Sequence, residues 1–241
     1  MGRQQDNENG GLNLRPVLQP SLLEAPVVSL RQCGLDEVGR GALAGPLVAA
    51  AVILPDDIAD KLGALSRFLR DSKTVPRARR EDLAAAIRVH ALAVEVVAIT
   101  VEEINRRGIG WANREAFHRL IAALDADEYV VDGKLRPSAP ADRIARVRCL
   151  VKADALVPAV AAASLVAKVH RDALMTALHL SYPAFCWHEN AGYDTTAHLA
   201  ALKATGACPE HRTLFVATAL NGGQRARKAA RQSAEPQRLL E

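Results

Sequence analysis

The feature that most constrains this chain is an uninterrupted apolar run, Leu47 to Leu54, closed on either side by Pro46 and Pro55. It is the longest such run, and it falls far short of the ~20 residues that a bilayer-spanning helix needs. A short apolar segment between prolines reads as a strand. Val27 to Leu35 reads as a second strand beside it, leading into Asp36. Beyond them, helical and strand-like spacings alternate. Arg80 to His90 has helical spacing at Leu83 and Ile87, and Leu92 to Thr100 alternates through Val94 and Val96. Val101 to Arg107 and Trp111 to Leu124 read as helices. Glu128 to Val131 and Val147 to Val151 read as short strands ending at Asp132 and near Asp154. The expectation is a mixed α/β fold.

Ala155 to Leu180 is the longest predicted helix, with Pro158 in its first turn and an almost wholly apolar sequence through Ala167, so it must be buried. Its exceptions, Ser164, Lys168 and Arg171, are spaced to form one polar stripe. A last helix is expected from about Thr196 to Ala204, with Asp194 or Thr195 as N-cap and Gly206 as terminator. Composition divides the chain into a polar tail over 1–27, one folded domain over 28–220 and a basic tail over 221–241, both tails expected to lack fixed structure.

The formal net charge of +4 is weak evidence for a nucleic-acid partner, because the C-terminal tail alone holds five Arg/Lys against two Glu. Two internal clusters say more: Arg67 to Arg80 and Lys134 to Lys152 each carry six Arg/Lys against one Asp. Each is a candidate phosphate-binding face or simply a solvated one. Cys33, Cys149, Cys186 and Cys208 are far apart without a C-x-x-C pair, so they read as reduced thiols. Met1 to Pro20 lacks the apolar stretch of a secretory signal, and a cytoplasmic protein is expected.

Asp36, Asp132 and Asp154 each lie at or just after a predicted strand end, with Glu37 adjoining the first. In open α/β sheets such ends converge on the functional site. Carboxylates gathered there would repel, each pair at ~4 Å by about 4 kcal/mol at an effective dielectric of 20. Divalent cations relieve that repulsion, and an all-oxygen ligand set suits Mg²⁺ or Mn²⁺, two of which make an in-line phosphoryl-displacement site. Singly, each acid is equally at home as a turn or cap residue. Gly39 to Ala44 formally satisfies the G-x-G-x-x-G/A dinucleotide pattern, but Gly45-Pro46 and a strand follow where a helix should open. Its glycines do allow a ligand to approach the backbone closely.

The segment from Gly34 through Asp36-Glu37, Gly39-Arg40-Gly41 and Gly45-Pro46 to Val48 resembles the signature of type 2 ribonuclease H, ribonuclease HII. Asp71-Ser72-Lys73, Val131-Asp132-Gly133, Lys152-Ala153-Asp154, the run from Ala161 to Val169, Arg171-Asp172, Gly192-Tyr193-Asp194-Thr195 and His211-Arg212 follow in the family's order. The resemblance spans about Gly34 to Phe215. It implies a ribonuclease H fold, a mixed five-stranded sheet with flanking helices, plus a small helical C-terminal extension. It implies that Asp36, Glu37, Asp132 and Asp154 are catalytic, metal-binding carboxylates for Mg²⁺ or Mn²⁺. It further implies that Gly39, Arg40 and Gly41 read the ribonucleotide 2′-OH through their backbone, that Tyr193 packs on the sugar, and that Ser72, Lys73, Ser164 and Lys168 contact phosphates.

The implied substrates are RNA/DNA hybrids and duplex DNA with embedded ribonucleotides, cut 5′ of the ribonucleotide to leave 3′-OH and 5′-phosphate, by a monomer with no membrane partner. Where the family more often has glycine, this chain has Ala153. A left-handed conformation there would strain the turn and leave Asp172 as an alternative ligand. Two other classes stay open on the residues alone: a carboxylate nuclease of the DNA resolvase or transposase type, and a non-catalytic hybrid-binding protein. His188, His198 and His211 lack H-x-x-x-H spacing and are expected to be ordinary hydrogen-bonding histidines.

Overall fold

A computed structural model describes residues 30–70, 75–134 and 137–222. Five strands form one mixed sheet: β1 (Gln32–Val38), β2 (Leu47–Ile53), β3 (Ala93–Ile99), β4 (Glu128–Asp132) and β5 (Val147–Leu150). Their order is β3-β2-β1-β4-β5, with β1, β2 and β3 antiparallel and β4 and β5 parallel to β1.

β2 shows why its sequence has no polar face. Leu47, Ala49, Ala51 and Ile53 enter one core with Phe117, Leu120 and Ile121. Those three belong to helix α4 (Ile109–Ala123). Val48, Ala50 and Val52 enter the opposite core with Leu83 and Ile87 of α2 (Arg77–His90) and Leu165 and Val166 of α5 (Pro158–Ser181). A strand covered on both sides loses the polar alternation of a half-exposed one. Two short helices, α1 (Ile58–Leu62) and α3 (Val101–Arg107), complete this part, and Thr100 and Glu103 close a reciprocal capping box at the start of α3.

α5 lies along β1 and β2 at backbone contact distance. A Cβ on Gly34 would stand 2.2 Å from the carbonyl carbon of Ala159 and the amide of Val160, so only glycine lets helix and strand meet there. A third apolar cluster joins Leu43, Ala44 and Met175 to Phe185, Trp187 and Leu202, under the C-terminal elements α6 (Trp187–Asn190) and α7 (Thr196–Thr205). Thr195 caps α7 and Gly206 ends it, as expected. α7 is not the last helix, however, since residues 213–222 are helical as well and Val216 packs into the same cluster.

One boundary differs in a way that bears on function. β1 does not stop at Leu35: its ladder with β2 continues through Asp36–Ala50, Glu37–Ala49 and Val38–Val48. Asp36 and Glu37 therefore lie within the strand, and its pleat sends them to opposite faces. The expected N-terminal tail falls outside the described residues, as does the C-terminal tail from 223.

Candidate active site

The register of the parallel strands assembles the acids. Leu35 pairs with Val131, so Asp36 and Asp132 are the next residues along neighbouring strands, and Asp132 in turn pairs with Leu150 of β5. The chain leaves β5 through Lys152 in a left-handed conformation (φ 59, ψ 36) into a 3₁₀ turn, Ala153–Ala155. The Ala153 N–H donates to Asp132 Oδ1 at 2.7 Å, which ties the turn to the end of β4. The left-handed residue is thus Lys152, and Ala153 is fully buried against Val130 and Val160. Alanine at 153 costs no strain, and Asp154 follows it, 6% exposed.

Asp36 is 8% exposed on the α5 face. Burial pushes its carboxyl up to about 7; the Ser164 hydroxyl opposes this, and the charges of Glu37 and Asp132 reinforce it. The Glu37 N–H donates to Asp36 Oδ1 at 2.8 Å. Glu37, on the α4 face, is also raised, first by burial and then by Asp132, against the opposing pull of Arg40 and the Asn113 amide. Its ion pair with Arg40 is long, 3.9 Å, to a half-exposed guanidinium. Among the described residues no three acidic, histidine or cysteine side chains stand gathered at ion-binding distances. What exists is a mutually repelling set with one oxygen each of Asp36 and Asp132 fixed by a backbone amide.

Directly after β1 comes the Gly39–Pro46 loop, and two fully buried arginines hold it. Arg212 donates from Nε and Nη2 to Gly45 O (3.0 and 2.8 Å) and from Nη1 to Gly39 O and Arg40 O (2.7 and 3.1 Å). Arg171 donates to Pro46 O, Ala44 O and Ala191 O at 2.8–3.0 Å. Gly39 has φ 83, and a Cβ there would lie 2.1 Å from Arg171 Nε. Tyr193 is anchored beside the loop: the Arg171 guanidinium carbon sits 5.5 Å from its ring centroid, and Leu43 and Ala44 donate to Gly192 O.

The predicted polar stripe of α5 separates into three environments. Ser164 bonds Asp36. Lys168 Nζ is bound to both oxygens of Asp172 at 2.9 Å. Asp172 is held in that pair. Arg171 is internal. Ser72 and Lys73 lie outside the described residues. Much of the second basic cluster serves the fold: Arg143 caps the end of α4 through Ile121 O, Ala122 O and Leu124 O, Arg146 bonds Ala126 O, and Arg148 pairs with Glu128. His198 and His211 are hydrogen-bonded core residues, while the His188 ring lies tilted against that of His179.

Arg171 and Arg212 are the site-supporting residues that sequence reasoning missed. Nothing in periodicity marks an arginine for burial. The only signal was position, Arg171 within the stripe and Arg212 within the His211-Arg212 block.

A sequence model of the family described as ribonuclease HII matches residues 33–218. The chain belongs to the ribonuclease HII family. Among its ribonuclease HII relatives, that of Thiobacillus denitrificans is 46% identical over 185 residues, covering 76% of this chain and 86% of the relative. Among solved structures, the ribonuclease HII of Archaeoglobus fulgidus in its complex with PCNA matches with a TM-score of 0.63 at 30% identity, over 76% of this chain and 94% of that one. A ribonuclease HIII solved in complex with Mn²⁺ matches with a TM-score of 0.59 at 23% identity, over 89% of this chain and 77% of that one, a likeness of fold. The mixed five-stranded sheet and its flanking helices are thus those of the ribonuclease HII fold.

Proposed function

We propose that this chain is an endonuclease that hydrolyses the RNA strand of RNA/DNA hybrids and incises duplex DNA 5′ of embedded ribonucleotides, leaving 3′-OH and 5′-phosphate ends. The observation that carries the reading is the junction at the end of β1: coupled carboxylates from β1 and β4, followed at once by a loop built for backbone recognition. Gly41 sharpens it. Among the described residues a Cβ there would meet nothing within 4 Å, and its φ is not left-handed, so the described fold does not require glycine. A substrate approaching the backbone does.

Asp36, Glu37, Asp132 and Asp154 would hold two Mg²⁺ or Mn²⁺ ions, which when bound activate the attacking water and neutralise the leaving 3′ oxygen. The donor set fits: it is all oxygen, and Asp36 is buried among like charges whose repulsion a cation relieves. The Glu37 N–H orients Asp36, and the Ala153 N–H orients Asp132. Gly39, Arg40 and Gly41 read the 2′ position, and Tyr193 packs on the sugar. Ser72 and Lys73 contact phosphates, whereas Lys168 reaches one only by leaving Asp172. The carboxylates and the loop come from one chain, consistent with a monomer, and the four free cysteines fit a reducing, cytoplasmic compartment. No helix among the described residues is long and apolar enough to cross a membrane.

The test is a labelled DNA duplex with one ribonucleotide, incubated with Mg²⁺, with Mn²⁺ and with chelator, beside the same duplex made wholly of DNA. Metal-dependent cutting of the first alone is expected; equal cutting of both would point to a DNA resolvase or transposase-like nuclease. Asp132→Asn should abolish turnover while hybrid binding persists, and near-normal turnover would remove Asp132 from the metal site.

A further inference from the structure

Arg171 and Arg212 are costly residues. Both guanidiniums are fully buried, lie near enough to repel each other, and among the described residues Arg212 has no carboxylate partner. Every hydrogen bond they make goes to a main-chain carbonyl. The division of labour differs. Arg171 ties the foot of the loop, at Ala44 and Pro46, to Ala191 beside Tyr193. Arg212 takes the tip, at Gly39 and Arg40, and anchors it to Gly45.

The consequence follows from peptide geometry. No peptide bond in the described chain is cis, and in a trans peptide the N–H points opposite to the C=O of the same plane. Gly39 C=O is drawn inward to Arg212, so the N–H of Arg40 points away from it. Arg40 C=O is drawn inward as well, so the N–H of Gly41 also points away. Arg40 and Gly41 are exposed, and neither N–H has a partner among the described residues. Gly41 also lines an open cleft of about 350 Å³, with Leu43, Asp194, Leu214, Phe215 and Thr218. Two adjacent donors facing solvent beside a carboxylate site suit a hydroxyl oxygen as acceptor.

We infer that Arg212 is the specificity-positioning residue of this enzyme: by holding the Gly39 and Arg40 carbonyls inward, it aims the Arg40 and Gly41 amides at the 2′ oxygen of a ribonucleotide. This rests on the function proposed above. A lysine cannot replace it, because one ammonium on a flexible stem does not bridge three carbonyls in a fixed plane.

Amide NMR on the full chain carrying Asp132→Asn tests the aim of the loop. A duplex with one ribonucleotide should shift the Arg40 and Gly41 resonances, and the all-DNA duplex should leave them in place. Equal shifts from both duplexes, or none while binding is evident from other resonances, would overturn the inference. In the same background Arg212→Lys should cut the preference for the ribonucleotide duplex about tenfold, the worth of roughly one lost hydrogen bond. Its affinity for all-DNA duplex should stay within about twofold. Equal weakening toward both duplexes would make Arg212 a brace of the fold and nothing more. If Arg212→Lys does not fold, the NMR arm can still overturn the inference, which fails without a selective shift of the Arg40 and Gly41 amides. A chain that neither binds nor cuts the ribonucleotide duplex would instead refute the proposed function itself.

Discussion

Gly39 and Gly41 stand two residues apart and answer to different demands. Gly39 is required by the protein, through its left-handed φ and the Arg171 side chain packed against it. Gly41 is required by nothing in the fold. Gly41→Ala should therefore leave the melting temperature unchanged or slightly raised, by up to ~1 kcal/mol of stability, while cutting at a single ribonucleotide falls at least about tenfold. Gly39→Ala should destabilise by on the order of 2 kcal/mol or more. Thermal melts and single-turnover cleavage separate the two; a Gly41→Ala enzyme of normal activity would contradict the reading. Asp36 carries a prediction of the opposite kind. Its carboxyl is raised from 3.8 to about 7 by burial first. The folded chain thus holds a proton there that the unfolded chain releases. The associated stability is fully present below about pH 4 and is lost as pH rises through 7. Without divalent ions, Asp36→Asn should stabilise the protein at pH 8 by on the order of 1–3 kcal/mol while abolishing cleavage. An unchanged melt at pH 8 would show that Asp36 is not destabilised by its surroundings.

At the scale of elements, the sequence made the strands and helices legible because their apolar spacing is the physical cause of their burial. The β2 run, the α5 run and the capped α7 all formed where periodicity placed them. The end of β1 was not legible: Asp36 and Glu37 are poor strand formers, held in the ladder by their pairing with Ala50 and Ala49 of β2, a tertiary effect. Nor was the left-handed Lys152, which spares Ala153 and lets its N–H reach Asp132. Of the candidate site, Asp36, Glu37, Asp132 and Asp154 were readable as a pattern of acids at strand ends, but Arg212 and Arg171 were not, because their partners are distant in sequence. The C-terminal elements hold a comparable surprise. Trp187 Nε1 donates to His198 Nε2, which also faces His211 Nε2 at 3.0 Å, while His198 Nδ1 meets Tyr193 O and His211 Nδ1 accepts from the Cys208 N–H. Only neutral rings satisfy this arrangement, with His198 protonated at Nδ1 and His211 at Nε2. Burial, and then His198, lowers His211 to about 4. Its contribution to stability is present above pH 6.5 and lost as pH falls through 4. His211→Gln should flatten the loss of stability between pH 6.5 and 4, read by melts at each pH; an unaltered slope would remove His211 as its source.

For the whole molecule, these two titrations oppose each other between about pH 4 and 6.5, so the wild-type melting curve understates both and the single variants are needed to expose them. The same opposition describes the architecture. The central sheet, buried on both faces, carries carboxyls at Asp36 and Glu37 whose burial disfavours their charged form. The C-terminal elements, through Arg212, Arg171 and the histidine pair, fix the loop and Tyr193 against it. The account stands most directly on the chemistry of the ends produced at a single ribonucleotide in duplex DNA. Mass spectrometry of both fragments should show cutting on the 5′ side of the ribonucleotide in Mg²⁺ or Mn²⁺, with a 3′-OH on the DNA piece and a 5′-phosphate on the ribonucleotide. A 2′,3′-cyclic phosphate, which requires the ribose 2′-OH itself as nucleophile, would contradict it.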